Sequence, residues 1–161
     1  MVLLIEPFRP AADPGRAREL WELQRASYRL EAALIGTDSI PPLREPLADL
    51  LAADLSWLCA RDGARLCGAV ACSVEDGVHS LDRLVVSPSC LRQGVGRALV
   101  TELLRRVAPR PTVVSTGREN VPARRLYESL GFAHQGDSEV ETGLWLARYR
   151  HDPAERTGRR P

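Results

Sequence analysis

The sequence predicts a mixed α/β domain, an α+β layout built on one large sheet, and three observations carry that expectation. Strand-like runs at residues 55–61, 65–75 and 78–86 are joined by Asp62-Gly63 and Asp76-Gly77. Such pairs accept positive φ, so they close tight hairpins and give an antiparallel meander. Directly after the meander the apolar period lengthens, with Val95, Leu99, Val100, Leu103, Leu104 and Val107 on one helical stripe. The element order β-α-α-β-β-β-α-β-α-β-β shows neither an internal repeat nor a linker, and 161 residues make one domain with room for a core.

The remaining elements follow in chain order. Residues 2–8 are apolar and stop at Pro10, which reads as a first strand. After Asp13-Pro14-Gly15, a helix places Leu20, Trp21, Gln24, Tyr28 and Glu31 or Ala32 on roughly one face. Residues 35–42, Ile-Gly-Thr-Asp-Ser-Ile-Pro-Pro, cannot continue it, because glycine and paired prolines break the hydrogen-bond ladder. Pro46 opens a short second helix through Ala53. Beyond the 95–107 helix, residues 112–115 form a strand, 122–130 a helix stopped by Gly131, and 132–135 and 144–149 two more strands. The domain is expected over 1–151, with the polar segment 152–161 a disordered tail.

A hydrophobic fraction of 44% with 27% charged residues is that of a soluble globular protein. All 22 basic residues are arginine, which excludes self-acetylation on lysine. Residues 1–86 hold 13 acidic and 9 basic groups, residues 87–161 hold 8 and 13. A basic C-terminal half suits a polyanionic ligand and an acidic N-terminal half a cationic one. Cys59, Cys67, Cys72 and Cys90 lack metal or redox spacing, and three lie in apolar runs, so buried free thiols are expected and no metal. No apolar run reaches membrane-spanning length, and the start MVLLIEPFRP lacks the pattern of a secretory leader, so the expected compartment is the cytoplasm.

The chemistry concentrates in Leu84-Val85-Val86-Ser87-Pro88-Ser89-Cys90-Leu91-Arg92-Gln93-Gly94-Val95-Gly96-Arg97. A buried strand runs into a turn and then a helix with two glycines at its start. The first amides of a helix lack intrahelical partners, and with the macrodipole they form an anion site. Gly94 and Gly96 let a phosphate approach the backbone, and Arg92 and Arg97 add charge. A G-x-G alone fits a helix start chosen for close packing equally well. A Walker loop is excluded because the chain has no lysine, and a dinucleotide fingerprint because Leu99 stands where its third glycine belongs.

This segment resembles motif A of the GCN5-related N-acetyltransferases (GNAT), an apolar strand ending in Val-x-Pro followed by (Arg/Gln)-x-x-Gly-x-(Gly/Ala). The resemblance implies an acyltransferase fold with the meander, a strand-turn-helix cofactor site and helices on both sheet faces. It implies acetyl-CoA as co-substrate, with Leu84, Val85 and Val86 along the pantetheine and Arg92, Gln93, Gly94, Val95, Gly96 and Arg97 around the pyrophosphate. One departure is Leu91, which stands at the family's leading Arg or Gln; a backbone cradle does not need that side chain. A second segment, Asn120-Val121-Pro122-Ala123-Arg124-Arg125-Leu126-Tyr127-Glu128-Ser129-Leu130-Gly131-Phe132, resembles the family's N-x-x-A-x-x-L-Y-x-x-x-G-F. The similarity spans mainly residues 78–135.

By that resemblance Asn120 joins the cofactor site and Tyr127 gives a proton to the departing thiolate. A backbone amide near Val86 would stabilise the oxyanion. Asp82, on the strand before the turn, is the expected general base, directly or through water. Alternation places it with Ser80 and Leu84, and places His79, the next candidate, on the opposite face. A surface or salt-bridged aspartate fits Asp82 as well. Some protein N-terminal acetyltransferases carry a glutamate five residues before the Asn; here that position is Ser115, which is no base at neutral pH.

The acceptor pocket of the family is built largely by the first two helices and the loop between them, which here offer Trp21, Tyr28, Glu31, Asp38, Glu45 and Asp49. Core aromatics with solvated acids are the plainer reading of most of them. The expected partner is a small-molecule or peptide amine, with a homodimer open and no membrane. With a pI near 7.7 and few paired aromatics, nucleic acid is not expected. The alternative function is a non-catalytic acetyl-CoA sensor or interaction module.

Overall fold

The computed structural model describes residues 1–36 and 41–154; Asp38 and residues 155–161 of the expected tail lie outside this range. The elements are β1 (Leu4–Phe8), α1 (Pro14–Ile35), α2 (Leu47–Ala52), β2 (Ser56–Asp62), β3 (Arg65–Glu75) and β4 (Val78–Val86). They continue with α3 (Val95–Val107), β5 (Thr112–Gly117), α4 (Val121–Ser129), β6 (Ala133–Glu141) and β7 (Leu144–His151). The seven strands form one sheet in the order β1-β2-β3-β4-β5-β7-β6. Every pairing is antiparallel except β4 with β5. This is a mixed sheet with the expected meander at β2-β3-β4.

Each helix has an identifiable beginning or end. The Asp13 carboxylate accepts from the Arg16 amide at 3.1 Å and caps α1, and Gly36 ends it in the left-handed conformation at φ 70°. Asn120 Oδ1 accepts from the Ala123 amide at 3.3 Å and caps α4.

The helices cover both faces, as expected. On one face α1 and α2 bury Leu20, Leu23, Tyr28 and Leu50 against Trp57, Cys59, Ala69, Ala71 and Val85. On the other, α3 and α4 bury Val95, Leu99, Val100, Leu103 and Tyr127 against Leu58, Val70, Leu81, Val114 and Tyr149. All four cysteines are buried free thiols. Among the described residues no helix is long and apolar enough to cross a membrane, and no His, Cys, Asp and Glu cluster could hold a metal.

Two differences from the sequence reading matter. The strand expected at 132–135 is β6, which runs from Ala133 through Glu141. Its Gly136-Asp137-Ser138-Glu139 stretch pairs with β7 as an edge strand, where backbone hydrogen bonds rather than apolar side chains hold the ladder. The second difference is a bulge in β4. Arg83 pairs with Ala71 but Leu81 with Cys72, leaving Asp82 as the extra residue. The bulge inverts the parity of the strand: Leu81 packs with the α3 side and Val85 with the α1 side, although four residues separate them.

Candidate active site

The centre of the sheet is open. β4 and β5 pair only at His79↔Thr112, Ser80↔Val113 and Leu81↔Val114, and beyond Leu81 they diverge. A cavity of about 110 Å3 occupies the gap, lined by Leu81 to Leu84 of β4, Val114 to Thr116 of β5, Tyr28 and Glu31 of α1, Asn120, and Ala123 and Tyr127 of α4. Because it passes through the sheet, it brings together Tyr28 from one face and Tyr127 from the other.

The free edge of β4 is aimed into this gap. The Ser87 amide donates to the Cys67 carbonyl at 2.8 Å, which puts Ser87 and Val85 on the β3 side of the ladder. Leu84 and Val86 therefore turn their backbone groups toward the opening. The Val86 amide makes only a 3.4 Å contact there, to Ser27 Oγ. The side chains of Leu84 and Val86 lean instead against Gly96 and Leu126.

At the end of β4 a short turn, Pro88–Cys90, leads into the start of α3. Gly94 stands at the helix N-cap with φ 78° and ψ 13°, and no side chain caps the first turn. Arg92 is also left-handed, at φ 60°. The first amides of α3 thus have no side-chain cap among the described residues, and Arg92, Gln93 and Arg97 are exposed around them. Arg97 donates to Ser129 Oγ at 2.7 Å, tying the helix start to α4. A Cβ at Gly96 would meet Leu126, Val86 and Leu84 at 3.5 to 3.9 Å, ordinary contact distances. Protein packing alone therefore does not require glycine there.

Tyr127 is 4% exposed, packed edge-on to Phe132 at 5.3 Å, and its hydroxyl makes no hydrogen bond among the described residues. Burial pushes its phenol well above the ordinary range, and the Glu31 carboxylate adds to the effect. Tyr28, 6% exposed, is shifted in the same direction for the same two reasons. Burial also raises Glu31 above the usual carboxylate range, with the Asn120 side chain opposing.

Asp82 lies at the rim, exposed, its two oxygens accepting from Ser73 at 2.5 Å and Ser80 at 2.8 Å. It shares a face with Ser80 as expected, but not with Leu84, because the bulge at Asp82 turns Leu84 to the other side. His79 alternates with Asp82 onto the α3 face, and its Nδ1 is buried without a partner. Ser115 lines the cavity. Of the first-helix candidates only Tyr28 and Glu31 line it. Asp49 is exposed, and Trp21 donates to the Glu45 carbonyl at 2.7 Å.

Sequence reasoning did not find the anchor of the cavity wall. Arg83 binds both Glu45 oxygens, at 2.8 and 2.6 Å, and the Gln24 side-chain oxygen at 2.9 Å. The ion pair is nearly buried, with side chains 12% and 13% exposed, and pins the segment before α2 onto β4. An arginine directly before the apolar Leu84-Val85-Val86 run is the only local signal.

Residues 17–132 match the acetyltransferase (GNAT) family profile. UPF0157 protein YqkA of Bacillus subtilis (strain 168) is 33% identical over 140 residues, which is 85% of this chain and 40% of YqkA; the chain thus spans less than half the length of this curated relative. YncA of Salmonella typhimurium, solved with its cofactor acetyl-CoA, matches at a TM-score of 0.71 and 18% identity over 98% of each chain. The ribosomal-protein-S18-alanine N-acetyltransferase of Escherichia coli matches at 0.74 and 15% identity, over 97% of this chain and 98% of that one. At these identities the two structures testify to the fold alone. The family profile takes in the open β4 edge, the uncapped start of α3 and Tyr127, and the chain belongs to the acetyltransferase (GNAT) family.

Proposed function

We propose that this domain transfers the acetyl group of acetyl-CoA to a primary amine by direct attack. The observation that carries the reading is the divergence of β4 from β5 beside the uncapped start of α3, with the unpartnered Tyr127 phenol in the gap. Acetyl-CoA supplies an activated thioester. Its pantetheine would lie as an extra strand against Leu84, Val85 and Val86, through the backbone groups of Leu84 and Val86. Its pyrophosphate would take the amides of Gly94, Val95 and Gly96, with Arg92, Gln93 and Arg97 around it and Asn120 closing the far wall.

The chain's own groups divide the chemistry. The Val86 amide, held only by a long contact to Ser27, serves as oxyanion donor. Tyr127, protonated at neutral pH as any phenol is and held so by burial, donates to the thiolate as it forms in the same desolvated gap, where a cysteine-like thiol's ordinary pKa of about 8.5 is raised as well. Asp82 at the rim takes the released proton toward solvent, the two serine hydroxyls fixing its position.

Two measurements test this. Calorimetry should show acetyl-CoA binding that Gly94→Trp abolishes; equal affinity in that variant would remove the cradle. Thiol release across a panel of amines should be seen for the wild type and fall about 100-fold in Tyr127→Phe with cofactor affinity kept. Binding without release for any amine would instead identify the non-catalytic module.

A further inference from the structure

The cavity is acidic. Glu31 and Asp82 line it, and its one arginine, Arg83, already holds Glu45 in a two-point ion pair. The two carboxylates stand in different settings. Asp82 is exposed and accepts from two serines, while Glu31 is half-buried and no cation pairs with it among the described residues. Tyr28 and Tyr127, each more than nine-tenths buried, line the same space, and neither hydroxyl has a hydrogen-bond partner among the described residues. The hydrogen-bond partner of Glu31 is the neutral Asn120 side chain, and a half-buried carboxylate without a cation costs free energy that a cationic ligand would offset.

We propose that Glu31 is the acceptor-ammonium site of this domain: its carboxylate binds the –NH3+ of the incoming amine and takes the proton that nitrogen must lose before it attacks. The inference rests on the transfer reading above and names its substrate class, a primary alkylamine that arrives as a cation. The freed lone pair forms the N–C bond to the acetyl carbon and the C–S bond breaks. The sulfur leaves with the Tyr127 proton, and the second proton of the attacking nitrogen returns to that phenolate. Glu31 then releases its proton through water toward Asp82, so one proton per turnover reaches solvent. Burial makes Glu31 a stronger proton acceptor than an ordinary carboxylate. The charged and titratable groups around it are Tyr28 on α1, Tyr127 on α4, and Asp82 and the Glu45-bound Arg83 on β4.

The test compares wild type with Glu31→Gln, which preserves shape, on alkylamines and on weakly basic arylamines that are neutral at the assay pH. Near pH 7 the variant should lose about 100-fold in kcat/KM for alkylamines and less than about threefold for arylamines. Its alkylamine activity should recover as pH approaches the amine's own pKa, a signature that a purely structural role would not produce. Acetyl-CoA affinity should be unchanged, and Glu31→Asp should restore part of the rate. Equal activity of wild type and Glu31→Gln on both amine classes overturns the Glu31 assignment and leaves the transfer reading standing. A uniform loss on both classes, with no recovery at high pH, also overturns it. Absence of thiol release from the wild type with every amine overturns the transfer reading and this inference with it.

Discussion

A methyl group added at Gly68 tests how tightly α3 is seated. Gly68 lies in β3 opposite Val86, and a Cβ there would stand 2.8 Å from the Val85 carbonyl oxygen, 2.9 Å from Val95 Cγ1 and 3.1 Å from Leu99 Cδ1. The first contact is with backbone, so it cannot be relieved by a rotamer change. β3 must move away from β4, or α3 must lift from the sheet. Overpacking of this kind costs about 1–3 kcal/mol, and replacing glycine within a strand returns about 0.5–1 kcal/mol; the net range is about 0–2.5 kcal/mol, and the clash with backbone puts Gly68→Ala in its upper part, about 1–2.5 kcal/mol. For a domain of this length that is a fall in Tm of about 2–10 °C, read by thermal melts and urea unfolding. Val95 is the first residue of α3, so acetyl-CoA affinity measured by calorimetry should fall with it. Gly94→Ala is the comparison: no atom lies within 4 Å of a Cβ there, and φ 78° alone sets a cost of about 1 kcal/mol with no movement of the core. A Gly68→Ala protein with unchanged Tm and unchanged affinity would refute the tight seating of α3 on β3.

Further outcomes follow from the charged groups. Glu45→Gln should cost about 2–3 kcal/mol in urea unfolding, at or below the low end for breaking a buried pair because some solvent reaches this one, and Arg83→Met with Glu45→Leu together should cost less than either alone. Glu31→Gln should raise stability at neutral pH. The folded carboxyl binds its proton more tightly than the unfolded one, so wild type loses this contribution as pH rises through the folded value, and the gap to the variant should widen from acid to neutral pH in pH-dependent melts. Burial, with Arg110 nearby, lowers His79, so its contribution is present above the ordinary imidazole value near 6.5 and lost as pH falls through the lower folded one. His79→Leu should flatten that acid limb; an unchanged limb would assign it to other groups.

The sequence was most readable where one local rule decides the structure. Asp62-Gly63 and Asp76-Gly77 close the two hairpins, and the stripe from Val95 to Val107 is α3. Gly94 marks the start of α3 because few other residues allow its left-handed backbone, whereas Gly96 lies within the helix and has no such need. What stayed hidden depends on partners distant in the chain. Strict alternation cannot show that Asp82 is an extra residue, since the bulge is defined by its pairing with β3. Arg83, Glu45 and Gln24 are separated by up to 59 positions, and nothing local marks them as a set. β6 was cut short because its polar residues are held by β7 rather than by a core.

The divergence of β4 from β5 has a thermodynamic side as well. The midpoint of the sheet is a seam where two strands have given up their mutual hydrogen bonds, so the polypeptide alone leaves its own ladder incomplete. A ligand that lies in the seam finishes the ladder, and its binding energy becomes part of the folding energy. At a concentration of one hundred times Kd, that linkage adds about 2.7 kcal/mol to the apparent stability. The amides of Leu84 and Val86 should then pass from fast to slow hydrogen exchange on saturation, while those in the β2–β3 hairpin stay as they were. In a cell, the apparent stability of this domain would rise with the concentration of any ligand that fills the seam.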